Sequence, residues 1–161
     1  MFLYDIPNLL GILILVIASF RIGLIPIWLL FFLCLFAFVP FILNDVIFPA
    51  SYMPDQFSYF QKVQQLRHLN FDLITNTKLI TSSWMLALIP LPYVETIKSL
   101  GFFSRFLATA LIIWLYSSKN IRGWPLLFIL FYPSFLLYSS LALRDMLVFI
   151  TQQIVTCLLH L

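Results

Sequence analysis

Apolar residues fill this chain in long blocks, and polar residues gather at a few short places between them. The first two blocks, "PNLLGILILVIASF" (7–20) and "GLIPIWLLFFLCLFAFVPFIL" (23–43), leave Arg21 at a tight turn. Two more, "FFSRFLATALIIWLYS" (102–117) and "WPLLFILFYPSFLLYSSLAL" (124–143), flank a "SKNIRG" turn carrying Lys119 and Arg122. A last run, 146–161, predicts a further helix from about residue 145. A helix needs about 20 residues to cross the hydrocarbon core of a bilayer, so blocks of these lengths predict membrane spans. Pro26 and Pro40 fall near the ends of the second block, where a missing backbone donor costs least. Membrane β-strands would instead alternate polar and apolar over roughly ten residues, and no stretch of this chain does so.

Residues 44–78 break the pattern, with Asp45, Asp55, Asp72, Lys62, Arg67, Lys78 and four glutamines. Inside this loop "MPDQFSYFQKVQQLRH" (53–68) predicts a helix. Pro54 suits a first helical turn and Asp55 suits its positive end. Tyr59, Phe60, Val63 and Leu66 then share one face, with Gln61, Lys62 and Gln65 largely elsewhere. Such a helix lies along a membrane surface, although an ordinary solvated connection would carry the same residues. The expected fold is therefore all-α: a polytopic transmembrane helix bundle with one amphipathic juxtamembrane helix.

The segment "LITSSWMLALIPLPYVETIKSLG" (79–101) admits two readings, because Pro90 and Pro92 interrupt it and Glu95 and Lys98 follow. It is either one kinked crossing or a re-entrant pair of half-helices. Irregular backbone at membrane depth is tolerated only where protein or a wet cavity covers it. Positive-inside counting depends on the choice. A crossing puts loop 44–78 with Lys119 and Arg122 on the cytoplasmic side. A re-entrant pair puts the loop on the outer face with Arg144 and Asp145.

Composition sharpens this picture. The chain has 161 residues, 63% hydrophobic and 9% charged, with a mean hydropathy of +1.05. A soluble domain of this size cannot hide so much apolar surface. The net charge of +3 is scattered with no basic cluster, which excludes nucleic acid as an expected partner. Cys34 and Cys157 sit in separate apolar runs and read as small buried hydrophobes. The N-terminal "MFLYDIPN" carries Asp5 and no Lys or Arg, so it lacks the basic region of a cleaved leader and the first span is expected to stay. The run to "CLLHL" has no polar tail, and 1–161 is expected to be one membrane domain from the N-terminal part of a longer protein.

An ionisable residue between spans is a functional-site hypothesis by default. Arg144 and Asp145, in "YSSLALRDMLVF", are the clearest case. Their ordinary explanations are an arginine snorkelling to headgroups and an aspartate favoured at a helix start. Asp55 has the same helix-start explanation. Arg105 lies early in a span; it either snorkels or faces the bundle, where a guanidinium clamps a phosphate well. His68 and His160 match no metal-ligand spacing. Four glycines in the whole chain cannot build a phosphate loop.

Two stretches resemble membrane enzymes. "PDQFSYFQKVQQLR" is similar to the first-loop motif of C-type membrane glycosyltransferases, an Asp followed a few residues on by Tyr. "RFLATALIIWLYSSKNIRGWPLLFILFYPSFLLYSSLALRDMLVF" resembles their next block, in which an Arg opens a span and a Pro-Ser stretch leads to an acid at the next helix start. The wording "YPSFLLYSSLALRD" is closer still to oligosaccharide repeat-unit (O-antigen or capsule) polymerases. The resemblance covers about residues 50–150. It implies Asp55 and Asp145 as the catalytic acids. Arg105 and Arg144 become phosphate contacts, with Gln56 and Tyr59 as further substrate contacts. No second acid stands beside Asp55, so neither a metal nor another cofactor is expected. The implied function is sugar transfer from a polyprenyl-phosphate carrier in cell-surface polysaccharide assembly, in the bacterial inner or plasma membrane. Its partners would be the lipid bilayer, the polyprenyl-linked sugar and other polysaccharide-assembly membrane proteins. The alternative is a non-enzymatic membrane protein, a transporter half or an assembly subunit, with Pro90 and Pro92 marking a broken helix.

Overall fold

The computed structural model describes residues 5–43, 47, 55–68, 80–118, 123–140 and 152. These residues form α-helices with no strand among them. In chain order the helices are α1 (Ile6–Arg21), α2 (Ile27–Ala37), α3 (Val39–Leu43), α4 (Asp55–Arg67), α5 (Ile80–Ala87), α6 (Ile97–Ser117), α7 (Trp124–Phe131) and α8 (Pro133–Tyr138).

Local chemistry sets the ends. Helix α1 starts with Pro7 in its first turn, where the missing N–H is not needed. It stops at Gly23, whose φ of +80° suits a residue without Cβ. There Leu24 N–H donates to Ser19 O and Gly23 N–H to Phe20 O, each at 2.9 Å, which is the paired bonding of a Schellman cap. This turn and the extended Pro26 delay α2 to Ile27, later than the residue 23 expected from hydropathy. Phe38 separates α2 from α3, two residues before Pro40.

Helix α6 starts at Ile97, five residues before the expected 102, because Thr96 and Ser99 form a reciprocal capping box. The 124–143 span divides at Tyr132, whose extended backbone precedes Pro133 as a pre-proline residue prefers. Helices α7 and α8 are the two pieces. The expected helix from 145 lies outside the described residues, apart from helical Gln152.

Helix α6 has 21 residues and is the one described helix long and apolar enough to cross a membrane. At 1.5 Å per residue it measures about 32 Å, against a hydrocarbon core of about 30 Å. The apolar stretches Ile6–Arg21 and Ile27–Leu43 are shorter. Helix α6 is central in the core, with Leu100 to Arg105 all buried. Helix α1 packs on it through Ile12 and Val16, α2 through Leu29, Leu33 and Phe36, and α7 contributes Leu126 and Leu130. Aromatic rings tie the C-terminal pair to α2: Phe32 meets Phe131 edge-on at 5.2 Å, and Phe36 stacks with Phe135 at 6.2 Å.

The outer faces of α1, α2 and α7 are apolar as well. Ile14, Phe31, Leu35 and Phe128 are each more than 60% exposed. Helix α4 differs. It buries Gln56, Tyr59, Val63 and Leu66 and leaves Asp55, Gln61 and His68 outside. The Tyr59, Val63 and Leu66 face is the one its sequence predicts, with Phe60 half-buried at the edge, and it packs against α5 and α6.

Candidate functional site

Between α5 and α6, residues 88–96 follow no regular helix. Pro90 and Pro92 supply no N–H, so the regular helical ladder stops here and nearby carbonyls need other partners. Buried backbone polar groups must be paired somewhere, and here side chains from α1 and α4 pair them. The Leu91 N–H turns back to Ile89 O at 2.8 Å instead of reaching Ala87 O. Arg67 takes up the slack, donating from Nε to Ala87 O (3.3 Å), from Nη2 to Ile89 O (2.8 Å) and from Nη1 to Leu91 O (2.7 Å). Its guanidinium carbon also lies 4.7 Å from the centre of the Phe103 ring. Partial burial lowers the Arg67 pKa from its ordinary value.

The rest of the break is held the same way. Asn8 binds Tyr93 at both backbone groups, donating from Nδ2 to its carbonyl at 2.9 Å and accepting from its N–H at 3.2 Å. Gln64 Nε2 donates to Val94 O at 3.1 Å. At the start of α6, Asp5 accepts from Thr96 Oγ1 at 3.1 Å and from Ser99 Oγ at 2.7 Å. Asp5 and Asn8 are both almost fully buried. Gly11 lets α1 come this close, because a Cβ there would meet Leu91 Cδ2 at 2.6 Å.

A second polar centre lies deeper in the bundle. Arg105 is fully buried, so it faces the interior and does not snorkel. Its Nη2 donates to Leu136 O at 3.1 Å and to Ser140 Oγ. Its guanidinium carbon sits 3.7 Å from the centre of the Phe36 ring. Among the described residues its Nε and Nη1 have no hydrogen-bond partner, and neither do the Ser104 and Thr109 hydroxyls on the same helix. Unpaired buried polar atoms are uncommon in a native interior.

The expected site residues thus fall in separate places. Asp55 is exposed at the first turn of α4, with Gln56 and Tyr59 buried just behind it. They stand about 12 to 18 Å along that helix from Arg67. No hydrogen bond described links Asp55 to Arg105. Arg144 and Asp145 lie outside the described residues. A cavity of about 340 Å³ opens at the α1–α2 turn, lined by Gly23 to Pro26, Tyr116 and Ser117, and none of these is a candidate residue.

Sequence reasoning missed Asp5, Asn8, Gln64, Arg67 and the Thr96–Ser99 cap. The last had a readable signal, a Thr followed three residues later by a side chain able to bond back. Asp5 and Asn8 had a weaker one, as polar residues opening an otherwise apolar helix. Gln64 and Arg67 flank the buried Val63 and Leu66, but nothing in their spacing names a partner 20 or more residues away. Compared with known proteins, the chain matches no protein-family model, no curated protein and no solved structure.

Proposed function

We propose that this chain belongs to a polytopic membrane glycosyltransferase or polysaccharide repeat-unit polymerase that uses polyprenyl-phosphate-linked sugars. The membrane part of this reading is supported by α1 and α2, which are apolar on both their buried and their exposed faces. A helix of that kind is at home in lipid or deep inside a large protein. The stretches 6–21 and 27–43 span about 24 and 26 Å at helical rise, and a bilayer accommodates such shortfalls by local thinning.

One observation carries the chemical part: the buried Arg105, two of whose nitrogens have no partner among the described residues, on a helix whose Ser104 and Thr109 hydroxyls also have none there. Phosphate oxygens would satisfy these donors without a metal. In sugar transfer the glycosidic carbon–oxygen bond to the carrier phosphate breaks, and the electron pair leaves with the phosphate. An acceptor hydroxyl forms the new bond and gives its proton to a base. Arginine stabilises the leaving charge, and a carboxylate takes the proton. Arg105 and Arg144 fill the first role, Asp55 and Asp145 the second, with Gln56 and Tyr59 contacting the sugar.

The test is conversion of a polyprenyl-linked oligosaccharide by membrane vesicles carrying the protein in its full reading frame. Arg105→Met, Asp55→Asn and Asp145→Asn are expected to abolish transfer while the protein still inserts and accumulates. Full activity in all three variants would remove the site. Labelling that put Asp55 and Asp145 on opposite membrane faces would do the same. A second reading, a transporter half or assembly subunit, draws on the broken segment 88–96, since discontinuous helices line transport sites.

A further inference from the structure

We infer that the break between α5 and α6 is a binding site for a planar guanidinium cation, kept filled in cis by Arg67. Three carbonyl oxygens, of Ala87, Ile89 and Leu91, converge on one group, and each takes a different nitrogen of it. The Phe103 ring lies near the same group, and a cation near a ring face adds attraction. A compact ammonium places its charge at one point and cannot reach three separated acceptors in a plane as a guanidinium does. Among the described residues no carboxylate takes part in the bonds that hold Arg67, and the recognition there is by backbone dipoles and an aromatic face.

This site bears on function independently of the glycosyltransferase reading. Carbonyls freed by a broken helix are what a transporter offers to a coupling cation. Here those of Ala87, Ile89 and Leu91 are already committed to a tethered cation, so the break acts as a fixed joint between α4 and the 87–91 backbone.

The experiment is chemical rescue of the purified full chain in detergent or nanodiscs. Arg67→Ala is expected to lower Tm by several degrees. Ethylguanidinium, the excised end of the side chain, should restore Tm along a saturating curve in the millimolar range. The same reagent should leave the unsubstituted protein unchanged or slightly destabilised, and ethylammonium or potassium should not rescue. If Arg67→Ala fails to accumulate, Arg67→Ser, which also leaves the guanidinium space open, carries the same titration. Equal response to guanidinium and ammonium, or no saturable response in either variant, overturns the assignment. Because the readout is thermal and needs no sugar substrate, its failure is distinct from failure of the transfer assay.

Discussion

Arg67 and Arg105 are both drawn out of water in an apolar bundle, and they are treated in opposite ways. Every nitrogen of Arg67 has a backbone carbonyl within 3.3 Å. Arg105 is the more deeply buried, yet two of its nitrogens have no partner among the described residues. A charge with a partner at each of its nitrogens is part of the scaffold. A charge left half-bonded is costly to keep, and its retention calls for a use outside folding. On the proposed reading, the difference separates a structural joint from a candidate substrate contact.

The largest effect that could break this comparison is on activity at Arg105. Arg105→Met keeps the volume and removes the charge, so transfer should fall by about 10³-fold, the upper end for loss of one electrostatic donor. Stability should change by less than about 1 kcal/mol or even rise, because apolar replacement of a poorly compensated buried charge is often neutral or favourable. Thermal unfolding beside the vesicle assay separates the two. A variant that loses stability in step with activity would make Arg105 a scaffold residue like Arg67.

Arg67→Met should behave the other way. It takes the guanidinium from the Ala87 and Leu91 carbonyls and leaves Ile89 O with the Leu91 N–H alone, and a charge-assisted bond contributes roughly 1.5–3 kcal/mol, so a loss of about 3 kcal/mol is expected after partial solvation of the break. Denaturant or thermal melts measure it directly. Hydrogen exchange at Ala87 to Val94 should rise before exchange in α6 does, as for a local opening. A cost equal to that of Arg105→Met would erase the distinction.

How much of this was legible beforehand differs between the same two places. The buried face of α4 was readable, because Tyr59, Val63 and Leu66 repeat with the helical period. The break itself was readable from Pro90 and Pro92. The partners that close it were not, since each comes from another helix, and side chains that pair with backbone leave no complementary residue to search for. The start of α6 was misplaced because Glu95 and Lys98 look like a polar interruption, while the capping box carries the helix start to Ile97. Arg105 was identified as a charge in a span. Its surroundings needed three dimensions, since Phe36, Leu136 and Ser140 all lie on other elements or beyond them.

Asn8 gives a smaller test of the joint. Its side chain makes both hydrogen bonds to Tyr93, as a neighbouring peptide unit would. Asn8→Ala should cost about 1–2 kcal/mol, mostly from leaving buried backbone groups unpaired. Asn8→Asp cannot donate to the Tyr93 carbonyl and should cost at least as much. If alanine were neutral by thermal melt, α1 would not be holding the break.

The smallest expected effect lies at Gly11, and it tests how closely α1 and the break approach. An alanine in mid-helix is favoured over glycine by about 1 kcal/mol. Here its Cβ would fall 2.6 Å from Leu91 Cδ2, the far end of a side chain that is itself buried. That terminal methyl must rotate or shift, which in a packed interior costs on the order of 1 kcal/mol. The two terms oppose each other, so Gly11→Ala alone should change stability by no more than about 0.5 kcal/mol. Leu91→Ala alone should cost about 2–3 kcal/mol for the lost methyls and the cavity. Combining them removes the collision, and the helix preference of alanine is then expressed in full. The double variant should therefore be more stable than the sum of the single changes by about 1 kcal/mol, a coupling that contacting residues show and distant ones do not. Additive behaviour would mean that α1 and the proline-broken segment stand further apart, and the clamp formed by Asp5, Asn8 and Arg67 would have to be looser than its hydrogen bonds indicate.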